Sequence, residues 1–274
     1  MSASGPTGAD NNSSLFSAIV LAGERPGVSP VAEAAGVCCK ALAEVAGQPM
    51  VSRVLDALEQ SHSNGRKMLC GLPKAALAAV PVLDEALATG RSDWQEGVQS
   101  PSGSAFSALQ QIDPSKPVLL TTADHALLTP QMVDHFCREA LASGADLVVA
   151  VASYSAVSEA FPGVRRTVTR LSDDGYCGCN LFAFMTPEAR KVADIWRRVE
   201  QQRKRPWRLV SIIGWGSVLR YLLGRLSLRQ ALERLSRRFG LRIDAVVMPQ
   251  PEASVDVDTV RDWKFVRWLA ERKV

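Results

Sequence analysis

The chain has 274 residues, 47% hydrophobic and 22% charged, enough apolar material for a large core, which excludes a disordered or low-complexity protein. Six cysteines set mostly in apolar or helical stretches, together with only three histidines, favour reduced thiols over a disulfide framework and argue against a zinc centre. Charge is uneven: residues 197–238 hold twelve Arg or Lys against two Glu, a net of +10 that leaves −6 for the rest of a chain whose net is +4, so an anionic partner is expected for that segment.

Residues 1–14 are polar, lack the charged and apolar regions of an export signal, and are expected to be a disordered tail. Phe16, Ala18, Ile19, Val20 and Leu21 predict a short buried strand that stops at Gly23. Beyond a loop and Lys40, the spacing of Val51, Val54, Leu55 and Leu58 predicts a helix, stopped at 61–65 and followed by a strand at 67–72. Strand, helix, strand in this order implies a parallel sheet with right-handed crossovers. Short helices broken at Pro81 are expected over 75–89, then a polar loop over 90–100, then a helix to Ile112. Ser102, Gly103 and Ser104 at the start of that helix either cap it or present N–H groups and hydroxyls to a ligand.

Residues 117–124 predict a strand ending in Asp124, and ligand-binding groups in parallel sheets gather at the carboxyl ends of strands. Thr129 and Pro130 read as N-cap and first position of the next helix. His125 either touches a ligand or faces water, and the second is expected. A strand follows at 146–151, and 167–171 and 178–184 read as a hairpin around 172–175, with Asn180 either bonding backbone or contacting substrate. Helices are expected at 187–201, 209–223 and 228–239, the last with Leu228, Ala231, Leu232, Leu235 and Phe239 on one stripe. The 209–223 run is too short and too interrupted for a spanning helix of ~20 residues. A strand at 241–249 leads to Asp256 and Asp258, which share a face if the segment is extended, and a helix over 260–272 closes the chain. Asp258 alone has the further reading of a helix N-cap.

A glycine lets backbone N–H groups approach oxygens, and two cations neutralise them, so Gly23, Arg25 and Lys40 beyond the first strand suit a polyphosphate. Leu21-Ala22-Gly23, Arg25, Lys40 and Gly47-Gln48-Pro49-Met50 resemble the signature loop of nucleotidyltransferases related to molybdenum-cofactor guanylyltransferase and the sugar-phosphate pyrophosphorylases. Glu24 and Arg25 follow Gly23 directly and the next glycine is Gly27, where that family has a tighter Gly-x-Gly-x-Arg. Asp256-Val257-Asp258-Thr259 is similar to that family's Asp/Asn-x-Asp/Asn-Thr-Pro element, with Val260 in place of the Pro.

The resemblance implies an α/β fold, a Rossmann-like, mostly parallel sheet sandwiched by helices, here one domain over 15–274 with a basic helical insertion at about 187–240. It implies transfer of an NMP from an NTP to a phosphorylated small-molecule or lipid-linked acceptor, with Mg²⁺ as cofactor. Leu21, Ala22, Gly23, Arg25 and Lys40 would hold the triphosphate, with Arg25 and Lys40 catalytic. Ser102, Gly103 and Ser104 would read the base, Asp124, Asp256 and Asp258 would hold the metal, and Asn180 would contact substrate. Two alternatives stay open: an NDP-sugar glycosyltransferase using Asp256 and Asp258, and a non-catalytic nucleotide-binding or membrane-docking module. No nucleic-acid partner is expected. A cytoplasmic protein with peripheral contact to the inner membrane face through 197–238 is the expected setting.

Overall fold

Strand β1 (Phe16–Leu21) sends Ala18 and Val20 into one apolar layer and Ile19 and Leu21 into another, so both its faces must be covered and it belongs at the centre of a sheet. The structure, a computed structural model, describes residues 16–272 apart from 25, 26, 28, 78–80, 99 and 202–214. The expected N-terminal tail, Arg25 and the first part of the helix expected at 209–223 lie outside the described residues.

After β1 come α1 (Pro30–Ala35), a 3₁₀ turn (Lys40–Leu42), the two-residue strands β2 (Glu44–Val45) and β3 (Gln48–Pro49), α2 (Met50–Gln60), β4 (Asn64–Cys70), α3 (Lys74–Leu77) and α4 (Pro81–Ala88). The middle of the chain forms β5 (Ser92–Gln95), α5 (Pro101–Gln111), β6 (Val118–Thr122), α6 (Pro130–Ser143), β7 (Leu147–Ser153), α7 (Tyr154–Ala160), β8 (Thr169–Arg170) and β9 (Gly175–Phe184). The last third holds α8 (Lys191–Gln201), α9 (Trp215–Leu222), α10 (Leu228–Phe239), β10 (Ile243–Val247) and α11 (Val260–Glu271).

The sheet runs β10-β7-β9-β6-β1-β4-β5, with β8 paired to β9. All pairings along this path are parallel except the two that β9 makes with β6 and β7. The mostly parallel α/β sandwich is therefore as expected. The expected polar loop at 90–100 instead contains β5, an edge strand whose Ser-Asp-Trp-Gln sequence has no apolar alternation to announce it. Its Trp94 indole N–H donates to Leu72 O at 2.9 Å.

Helix ends follow local chemistry. Thr129 Oγ1 accepts from Met132 N–H at 3.3 Å, Pro130 takes the first position, and Gly144 ends α6 in the left-handed conformation. Thr259, not Asp258, is the N-cap of α11, and with Asp262 it forms a capping box.

The start of the expected insertion is part of the body: Ala189 and Ala193 share a core with Ala105 and Leu109 of α5. Arg190 is buried beside them. Its Nη1 donates to Leu109 O and Ile112 O at 3.0 and 2.7 Å, and its Nη2 to Asp113 O and Lys116 O at 2.7 and 2.8 Å, so one guanidinium satisfies carbonyls at the end of α5 and in the loop beyond it. Burial lowers its pKa from the usual arginine value. Arg190→Met is expected to lower unfolding free energy by roughly 3 kcal/mol, the cost of stranding one or two buried acceptors. Urea denaturation measures this, and an unchanged midpoint would show that water replaces the guanidinium.

Candidate active site

The site lies where β1, β4, β5 and β6 end. Gly23 after β1, Gly71 after β4 and Gly97 after β5 meet back to back. A Cβ on Gly71 would stand 2.8 Å from both Cα and N of Gly23, and one on Gly97 would stand 3.0 Å from Gly71 Cα. Gly71 also has φ +94°, so no other residue fits there without strain. Sequence reading singled out only the first of the three. Gly71→Ala is expected to cost roughly 1–3 kcal/mol of stability and to weaken nucleotide binding as the strand ends part. Thermal unfolding equal to the parent's would show that the two backbones do not need this approach.

Lys40 reaches across from the 3₁₀ turn. Its backbone N–H is taken by the Glu24 carboxylate in a short hydrogen bond, which ties the turn to the loop after β1. Its Nζ lies 2.5 Å from Asp124 Oδ2, 3.0 Å from Val257 O and 3.9 Å from Asp258 Oδ1. Three segments far apart in sequence thus meet on one ammonium. Asp124 Oδ1 is buried with no hydrogen-bond partner, whereas the Asp258 side chain is 73% exposed. A buried carboxylate oxygen without a partner is costly, and it suits a hard cation. Among the described residues no group of three or more His, Cys, Asp or Glu could hold a metal. Asp124 and Asp258 are the two carboxylates at the Lys40 ammonium that would be available to such a cation.

Asp256 stands elsewhere. One of its oxygens pairs with Arg166 in a short contact and the other accepts from Asn180 Nδ2 at 2.8 Å. Both oxygens of Asp256 are engaged within the chain, whereas the Asp258 carboxylate lies toward the Lys40 ammonium. Arg166, which sequence reading did not single out, also bonds Ser254 O and Asp256 O and so pins the loop that presents Asp258. Asn180 spends its amide on Asp256. Its φ of +50°, in β9 opposite a register shift in β7, is a conformation Asn tolerates better than most residues.

His125 is fully buried, not facing water. Burial pushes its pKa down to about 4, against the opposing pull of Asp124 and the Ala253 backbone. It is a neutral core residue at the base of the site.

Ser102, Gly103 and Ser104 form the buried first turn of α5. Ser100 Oγ accepts from Gly103 N–H at 3.1 Å, Ser104 Oγ accepts from Val98 N–H at 2.9 Å, and the Glu200 carboxylate takes both the N–H and, in a short contact, the hydroxyl of Ser102. This turn sits beside the glycine stack through Val98 and Gly97, but its hydroxyls are engaged within the chain. All six cysteines are free thiols.

A sequence profile of the MobA-like NTP transferase domain matches residues 18–247, from β1 through the basic segment to the end of β10. The chain belongs to that family. It is thus a member of a nucleotidyltransferase family with the family's α/β sheet. A hypothetical transferase from Thermus thermophilus is similar at 33% identity and a TM-score of 0.72, over 90% of this chain and 99% of that one. The 4-diphosphocytidyl-2C-methyl-D-erythritol synthase of Anaerococcus prevotii shares the fold at 14% identity and a TM-score of 0.55, over 94% and 96% of the two chains. A CMP:2-keto-3-deoxy-manno-octonic acid synthetase complexed with CTP does so at 13% and 0.54, over 94% and 100%. No curated protein matches the chain in sequence.

Proposed function

We propose that this nucleotidyltransferase moves an NMP from an NTP to a phosphorylated acceptor, with release of pyrophosphate and dependence on Mg²⁺. The observation that carries the reading is Lys40 Nζ held by Asp124, Val257 O and Asp258 beside the stacked glycines. The loop after β1 and the Lys40 turn would receive the triphosphate, with Lys40 and Arg25 neutralising charge that grows on the departing pyrophosphate. Bound Mg²⁺ would supply charge neutralisation on phosphate oxygens, and Asp124 and Asp258 are the residues to hold it. An acceptor phosphate is already ionised at neutral pH, so the chain need not provide a general base. Ser102, Gly103 and Ser104 have their N–H groups and hydroxyls engaged within the chain, so they would read the base only by exchanging those bonds for ones to the ligand.

An NDP-sugar glycosyltransferase would use Asp256 and Asp258 together, and the capture of Asp256 by Arg166 and Asn180 weighs against it. The test is pyrophosphate release with each of the four NTPs and a panel of phosphorylated alcohols and sugars, beside direct NTP binding. Release that needs NTP, acceptor and Mg²⁺ together is the expected result. Failure to bind any NTP would sink the reading.

A further inference from the structure

Among the described residues no helix is long and apolar enough to cross a membrane, yet α9 presents an apolar face to solvent. Leu219, Leu222 and Leu223 lie at i, i+3 and i+4, one side of the helix, and are 59%, 74% and 58% exposed, with Tyr221 beside them at 42%. Arg220 and Arg225, both exposed, flank them, and Gly224 ends the helix in the left-handed conformation so that the leucines stand at its tip. The neighbouring α10 is different. Its stripe is half-buried and the helix is tied to edge strand β10, Ser236 Oγ accepting from Ile243 N–H at 2.9 Å. Within the membrane contact expected across 197–238, the α10 stripe is used in packing, and the exposed apolar side chains among the described residues lie one helix earlier.

We infer that the Leu219–Leu222–Leu223 face and its arginines dock the protein on an anionic lipid surface. Isolated exposed leucines need no explanation, but three together on one helix face do. Charge selects the occupant. The described stretch 215–238 holds six Arg against one Glu, a net of +5, so a second copy brought against this face would meet the same excess and be repelled. Nucleic acid would pair with the arginines and leave the leucines wet. A bilayer of anionic lipids satisfies both, with leucines in the acyl boundary, Tyr221 at the headgroups and guanidiniums on lipid phosphates.

Full-length protein sedimented with phosphatidylcholine vesicles containing phosphatidylserine, and separately with pure phosphatidylcholine, tests this. Binding to the first, weakened by salt, is expected. Leu222→Glu/Leu223→Glu should lower the partition coefficient roughly ten-fold or more by removing two apolar side chains from the boundary. Arg220→Ala should lower it about five-fold. Both should leave thermal unfolding and nucleotide binding unchanged, because these side chains are exposed and supply none of the groups that meet Lys40. No sedimentation at low salt, equal binding to both vesicles, or undiminished binding of the leucine variant would each overturn the inference. So would a dimer in light scattering that the leucine variant abolishes without vesicle binding. The inference stands independently of the nucleotidyl-transfer reading, since sedimentation needs no substrate.

Discussion

Asp124→Asn is expected to lower turnover in pyrophosphate release by about 10²–10³-fold while the fold persists, the loss typical when one electrostatic group aimed at developing charge is removed. Asp124 sits at the end of β6 with one oxygen 2.5 Å from Lys40 Nζ and the other buried and unpartnered. Asn keeps the shape but removes the charge that both Lys40 and a cation would meet, and it turns one buried acceptor into a donor. Asp258→Asn should also lower turnover strongly. It should leave stability untouched, because its side chain is 73% exposed. The separating measurement is a Mg²⁺ titration: both variants should need more Mg²⁺ than the parent. Near-parental turnover in both would remove the two carboxylates from the reaction.

What was legible in the sequence was what local pattern encodes. Alternation on β1 and β6 sends apolar side chains to both faces, which reads as a buried central strand, and a carboxylate just past such a strand reads as a site residue. Lys40 was singled out because a cation after a glycine-ended strand suits a phosphate, and the fold brings Asp124 and Val257 O to its ammonium. What was missed depends on chain segments distant in sequence. Gly71 and Gly97 look like ordinary loop glycines until β4 and β5 are set beside β1, when their backbones touch. Arg166 and Arg190 look like solvent cations, and only the fold brings Asp256 to the first and four carbonyls to the second. His125 was expected in water because it is polar and lies in a loop, but the fold buries it fully and sets the Ala253 backbone of the Pro251–Ser254 turn beside it. The bonds of Asp256 to Arg166 and Asn180 were likewise invisible in sequence, because the three residues meet only in the fold.

Lys40→Ala is expected to weaken NTP binding by about 10- to 150-fold, the range that corresponds to a charge-assisted hydrogen bond of ~1.5–3 kcal/mol. Binding of the corresponding NMP should change far less. The argument rests on where the ammonium is held: Glu24 fixes the backbone of the turn, so Nζ approaches Asp124 and Val257 O along a constrained path and not as a free surface lysine. With carboxylates on one side, its remaining attraction is available to the outer phosphates, which an NMP lacks. Removing it also leaves Asp124 without its counter-ion, which adds repulsion toward any anionic ligand unless Mg²⁺ is present. The deficit should therefore be larger without Mg²⁺ than with it. Lys40→Arg should not restore affinity, because a planar fork cannot reproduce a compact ammonium held between a carboxylate and a carbonyl. Calorimetric titration of NTP and NMP, with and without Mg²⁺, measures all four values. Equal losses for the two nucleotides would place Lys40 against the α-phosphate or the nucleoside, and the assignment to the outer phosphates would fall.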